Sequence, residues 1–141
     1  MLALGAGVGG CSGTGVSKGA TVSVYVEAPL CAGAERELAR EGDGAGDVRI
    51  HAICLPTPRH GPRLDLAAVG VNARRASEDS TTIAYLAAPS AAFRFSHPIL
   101  ESAGIATVKA GSGATAMRKL LRVVAAADSS SLRDSVREAL E

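Results

Sequence analysis

The stretch Asn72–Ser90, NARRASEDSTTIAYLAAPS, has the pattern of one helix–turn–strand–loop unit. Ala73 and Ala76 extend an apolar stripe begun at Leu66 and Val69, a spacing of three and four residues that suits one face of a helix. Glu78, Asp79 and Ser80 interrupt that stripe. Thr82, Ile83, Ala84, Tyr85 and Leu86 then form an uncharged, β-prone run, the composition of a central parallel strand covered on both faces. Pro89 and Ser90 close the strand at the end where open α/β sheets hold their ligands.

The same alternation recurs on both sides. Thr21–Val26, TVSVYV, reads as a first strand, and Glu27–Leu30 turns off its end. Gly33–Glu41 has the composition of a short, shallowly seated helix, stopped by Gly42, Gly44 and Gly46. Val48–Leu55 alternates, with Val48, Ile50, Ala52 and Cys54 on one face and Arg49, His51 and Ile53 on the other, as an edge strand does. The loop from Pro56 to Pro62 is irregular. A helical stretch from Ser90 to Ala103 is expected to break at His97–Pro98, because proline disfavours helical geometry in the residue before it. Gly104 suits a C-cap. Ile105–Val108 reads as a fourth strand, Lys109–Thr115 as a glycine-rich loop and Leu120–Ala126, LLRVVAA, as a fifth strand. Asp128–Ser131 offers N-caps for a last helix lined by Leu132, Val136 and Leu140. The expected fold is α/β: a doubly wound, mainly parallel five-stranded sheet in the flavodoxin-like order 2-1-3-4-5, formed by residues 21–141.

Composition narrows the function classes. A chain of 141 residues supports one hydrophobic core and not two. Apolar residues make up 47% but aromatics only 3%, so that core is built from Ala, Val, Leu and Ile. Fifteen basic and fourteen acidic residues leave a charge of +1, and no basic patch with interleaved aromatics points to nucleic acid. No apolar run reaches the roughly 18 residues of a membrane-spanning helix.

Residues 1–20, MLALGAGVGGCSGTGVSKGA, admit two readings. Gly5, Gly7 and Gly10 match the dinucleotide fingerprint G-x-G-x-x-G, but neither the preceding strand nor the following helix that it needs is present. The segment reads better as the remnant of a secretory signal followed by a flexible tether. Val8-Gly9-Gly10-Cys11 resembles the lipobox of bacterial lipoproteins, which makes Cys11 the expected lipidation site, although the basic n-region is missing.

Cys31 and Cys54 follow the first and second strands, which are expected to be neighbours. They are either a disulfide or two free, partly buried thiols. His51, His60 and His97 lie on different elements without ligand spacing, so no metal site is expected. Asp65, Glu78 and Asp79 suit caps and turns, Arg74 and Arg75 a solvated helix face. No nucleophile–base constellation can be assembled, so no enzymatic activity and no cofactor is expected. A phosphoacceptor receiver would need clustered acidic residues at the first and third strand ends, and only Glu27 is there.

Three blocks, VSVYVEAPL at 22–30, NARRASEDSTTIAYL at 72–86 and SHPILESAGIATV at 96–108, together resemble the amino-terminal lobe of type I solute-binding proteins of ABC importers, above all the branched-chain-amino-acid (Leu/Ile/Val) group. LLRVVAAAD at 120–128 is similar to the strand with which such proteins leave that lobe. The resemblance implies an extracytoplasmic substrate-binding lipoprotein, anchored to a bacterial membrane, that takes a small amino-acid-like solute and works with an importer permease. It places Ser90 at one ligand position and the loop of Ser112 and Thr115 near a second, where hydroxyls and backbone N–H groups hold a carboxylate. Ser90 serves equally as a helix N-cap. The chain departs from the family pattern at Ala87-Ala88-Pro89, at Ala91 and at Lys109, and it ends at Glu141, where the family has a second lobe. Half a cleft implies millimolar affinity or none unless another chain supplies the opposite wall. The competing expectation is a non-enzymatic interaction domain that keeps the lobe fold and forms a homodimer through its uncovered face.

Overall fold

A computed structural model describes Val16 and residues 19–141. Thr21–Val26 forms β1, and its last five residues are buried, as a β-branched run covered on both faces should be. Parallel β3 (Val48–Cys54) pairs with it on one side and parallel β6 (Thr82–Ala87) on the other. β7 (Ala106–Lys109) extends the parallel set beyond β6. The two-residue strand β2 (Gly44–Ala45) lies antiparallel on the outer side of β3, so the mixed sheet has the order β2-β3-β1-β6-β7. A hairpin of β4 (Arg59–His60) and β5 (Arg63–Leu64) lies apart from it. The domain is α/β. Every residue of β6 is buried, and the strand is flanked on both sides, as its uncharged composition implies.

Helices α1 (Ala28–Arg40), α4 (Gly113–Ala126) and α5 (Leu132–Leu140) cover one face, packing Leu30, Leu38, Met117, Leu120, Leu132 and Val136 with Val22, Val24, Val26 and Leu86. On the other face Tyr25, Tyr85 and Ala87 meet Ala73 and Ala76 of α2 (Leu66–Glu78) and Leu100 of α3 (Phe93–Ser102). From Ala84 to Ala87, alternate residues of β6 thus feed two separate cores.

Several elements differ from the sequence reading. The expected fifth strand, Leu120–Ala126, is the second half of α4. Its buried residues, Gly113, Ala116, Met117, Leu120, Leu121 and Val124, recur at three and four, a helical period that the β-branched pair Val123-Val124 obscures when read alone. A fifth parallel strand beyond β7 is therefore not formed by the described residues, and β2 is the fifth strand. Val48–Cys54 is accordingly not the edge, although Val48 and Ile50 are buried and Arg49 and His51 exposed, as alternation requires. Helix α1 starts at Ala28, five residues earlier than expected, because Pro29 fits the first turn, where no N–H partner is lost. It is not shallow: Leu30, Cys31, Ala34, Glu37 and Leu38 are all buried. The helix α3 runs through Pro98 without a break; Arg94, whose carbonyl Pro98 leaves unpaired, and Pro98 itself are exposed, so solvent reaches the gap. Leu66 is 49% exposed and does not belong to the buried stripe of α2.

Two ends follow the expected chemistry. Asp65 caps α2, its carboxylate accepting from Ala68 N at 3.1 Å. Gly104, at φ 71°, closes α3, and the N–H of Ile105 then donates to the Leu100 carbonyl at 3.0 Å. Arg133 of α5 ties the far end of β6, donating to the Thr82 carbonyl at 2.8 and 3.1 Å and to that of Ser80 at 3.2 Å.

The contact of α1 with α4 has no room for a side chain. A Cβ on Gly113 would run into the carbonyl oxygen of Leu30 and come within 2.5 Å of Ala34 N, while one on Gly33 would stand 3.1 Å from Ala114 N. Gly113→Ala is therefore expected to lower unfolding free energy by about 1–3 kcal/mol, whereas Gly111→Ala, where a Cβ meets nothing, should change it far less. Urea denaturation of the two variants checks this.

Candidate ligand site at the strand ends

The parallel register sets the carboxyl ends of four strands in a row. Val26 pairs with Cys54 on one side and with Leu86 on the other, and Leu86 and Ala87 pair with Val108 and Lys109. Hydrogen bonds continue past the strands: Glu27 N donates to Leu86 O at 3.0 Å and Ala110 N to Ala87 O at 3.1 Å. Glu27, Ala87 and Lys109 thus stand on adjacent strands, each about 4.8 Å from the next.

Glu27 binds the loop after β6. Its carboxylate accepts from Ala88 N at 2.8 Å and from the Tyr85 hydroxyl at 3.3 Å. Burial pushes its carboxyl pKa above the ordinary value, an effect that the Ala88 and Tyr85 hydrogen bonds oppose but do not cancel. Burial, with the neighbouring Glu27 charge, pushes Tyr85 up as well, so its hydroxyl stays a donor. Lys109 leaves β7 with its Nζ 4.9 Å from the centre of the Phe93 ring, which in turn stacks on His97 at 4.9 Å.

The residues expected from the sequence fall around this row. Ser112 caps α4: its Oγ accepts from Thr115 N at 3.2 Å and lies 2.9 Å from Thr115 Oγ1. The structure therefore brings Ser112 and Thr115 together, at the amino end of a helix that starts just after β7. Ser90 is exposed in the turn after β6; its carbonyl accepts from Phe93 N at 3.2 Å, and α3 has Ala92 as its N-cap, with no side-chain cap. Its hydroxyl makes no hydrogen bond among the described residues. Cys11 lies outside the described residues.

Cys31, in the first turn of α1, and Cys54, at the end of β3, are joined as a disulfide, with Cα atoms 5.7 Å apart. Glu35 sits beside them, one turn after Cys31. Cys31, Glu35 and Cys54 present donor atoms within 4.8 Å of one another, a group with metal-ligand chemistry only when the sulfurs are reduced. Glu27, Glu35 and Lys109 were not singled out as site residues from the sequence. The Cys31-x3-Glu35 spacing was a usable signal, since residues four apart share a helix face. Glu27 needed the strand order before its neighbour was known.

A concavity of about 1090 Å³ lies at the opposite end of the sheet, between the end of α1, the Gly42–Gly46 turn and α4. Its floor is held by Glu37, 6% exposed, which accepts from Arg118 Nε at 3.2 Å and pairs with Arg40 at 3.6 Å. Comparison with protein-family models, with curated proteins and with solved structures gave no match.

The half-buried carboxyl of Glu27 gives a pH test. The folded state holds the Glu27 proton more tightly than the unfolded chain, so the stability tied to that proton is complete below the ordinary carboxyl pKa and is lost as pH rises through the raised value. Glu27→Gln should therefore gain stability relative to the parent as pH increases from 4 to 7, measured by urea denaturation across about that range. A difference independent of pH would count against a raised pKa.

Proposed function

We propose that this domain is a substrate-binding lobe of the kind used by ABC importers of branched-chain amino acids or similar small solutes, carried by an extracytoplasmic, lipid-anchored protein. In this reading it is not an enzyme, its parallel strands β3-β1-β6-β7 correspond to the first four of the flavodoxin-like order of type I binding proteins, and Cys11 carries the lipid. One observation carries the reading: Glu27, the Ala87–Ser90 turn and Lys109 occupy one row at the carboxyl ends of β1, β6 and β7. That row has an acceptor at one end and a cation at the other, the arrangement an amino acid's ammonium and carboxylate require. The ligand carboxylate goes to Lys109, Ser90 and the Ser112–Thr115 cap, and its ammonium to Glu27, whose carboxylate retains lone pairs beyond the two hydrogen bonds it accepts. An opposing wall from a second lobe or another chain would exclude water and tighten binding.

A second reading, a lobe that dimerises without ligand, draws on the exposed apolar residues Leu66 and Val71 of α2 and Phe95 of α3. Thermal denaturation with about 10 mM of each free amino acid separates the two. A Kd of about 1 mM gives about 1.4 kcal/mol of stabilisation, a rise of a few degrees, and Lys109→Ala and Ser112→Ala should abolish it. No rise with any amino acid, together with a ligand-independent dimer in sedimentation equilibrium, would decide for the second.

A further inference from the structure

The Cys31–Cys54 disulfide is asymmetric in a way that a merely structural staple does not need. Cys31 is 9% exposed, while Cys54 is open to solvent at the end of β3. A single oxygen, Oε1 of Glu35, lies 2.9 Å from the Cys54 sulfur and 3.5 Å from the Cys31 sulfur. A disulfide sulfur has no proton to donate, so a carboxylate aimed at both sulfurs gains hydrogen bonds only when they are thiols. The site is complementary to the reduced state although the sulfurs are joined.

We propose that Cys31–Cys54 is an exchangeable disulfide, a redox centre open to small thiols, with Cys54 the sulfur attacked and Glu35 the acceptor that holds the thiol protons. The thiolate of an external thiol attacks Cys54 Sγ and forms a mixed disulfide. The Cys31–Cys54 bond breaks, and its electron pair leaves on Cys31 Sγ. Cys31 stands in the first turn of α1, where the amino end of a helix favours a departing thiolate. That thiolate takes a proton from solvent and, as a thiol, hydrogen-bonds through it to Glu35 Oε1. A second external thiolate attacks the mixed disulfide at the external sulfur, releasing the small disulfide and the Cys54 thiolate, which is protonated in turn. Two external thiols are oxidised to one disulfide, and the protein gains two hydrogens. Because Val26 pairs with Cys54 and Cys31 lies one turn after Glu27, this exchange frees the first turn of α1 from β3 beside Glu27. The centre itself does not depend on the solute-binding reading.

Equilibration of the folded chain in glutathione buffers of graded ratio, with mass counting of alkylated thiols, tests the proposal. The parent should reach half-reduction at a glutathione ratio about tenfold less reducing than Glu35→Ala requires, the size of effect expected from losing one charge-assisted hydrogen bond. Glu35 is exposed, so this variant keeps the fold. In single-thiol variants, Cys54 of Cys31→Ser should form the glutathione adduct rapidly, and Cys31 of Cys54→Ser slowly. The proposal is overturned if the disulfide is reduced only on unfolding, if Glu35→Ala is reduced at the same or a less reducing ratio, or if Cys31 reacts as fast as Cys54.

Discussion

The backbone contact between Gly113 and Leu30 holds this domain in its arrangement. Two helices that cover the same face of a sheet normally stand a side chain apart, yet here a Cβ on Gly113 would meet the Leu30 carbonyl directly. The approach places the first turn of α4 against the first turns of α1. Those turns follow β7 and β1, so the contact brings the Ser112 cap, the start of α1 and the ends of the parallel strands into one neighbourhood. Behind it, Ala34, Ala116, Met117 and Leu120 pack with no exposed surface.

With the helices set, the chemistry at the strand ends follows from register. Parallel pairing aligns Cys54, Val26, Leu86 and Val108, and every polar group in the candidate site lies within a few residues of that line. Glu27 is the hinge of the arrangement, because its carboxylate satisfies Ala88 N and Tyr85 at once and so fixes how the loop after β6 leaves the sheet. A half-buried carboxylate held by two donors is costly to ionise and costly to lose. The opposite end of the sheet is organised differently, around Glu37 buried beneath Arg118 and Arg40, and it forms a wide concavity rather than a row of strand-end groups.

The strands that the sequence revealed were those whose composition is one-sided. TVSVYV and TIAYLA lack charge and form β1 and β6; VRIHAIC shows its alternation as β3. Caps were equally legible at Asp65 and Gly104, since a cap depends on local backbone geometry. Leu120–Ala126 misled because a short β-branched pair inside an amphipathic helix mimics a strand until Gly113 and Ala116 are counted in the same period. Ser112 and Thr115 stand out in the sequence but their mutual hydrogen bond does not, because the glycine-rich composition of Lys109–Thr115 hides the helix start on which the cap depends.

By itself the amino-acid sequence determined the class of the fold and the buried parallel strand beginning at Thr82, because these depend on short-range periodicity and spacing. Tertiary structure alone decided that β2 and not a segment near residue 120 completes the sheet, that Glu27 reaches the loop after β6, and that Glu35 touches both sulfurs of Cys31–Cys54. Glu27 and Ala88 are brought together by strand order, and Cys54 and Glu35 by packing of a helix on its neighbouring strand. Contacts between residues far apart in the chain leave no periodic trace, so only the folded chain contains them.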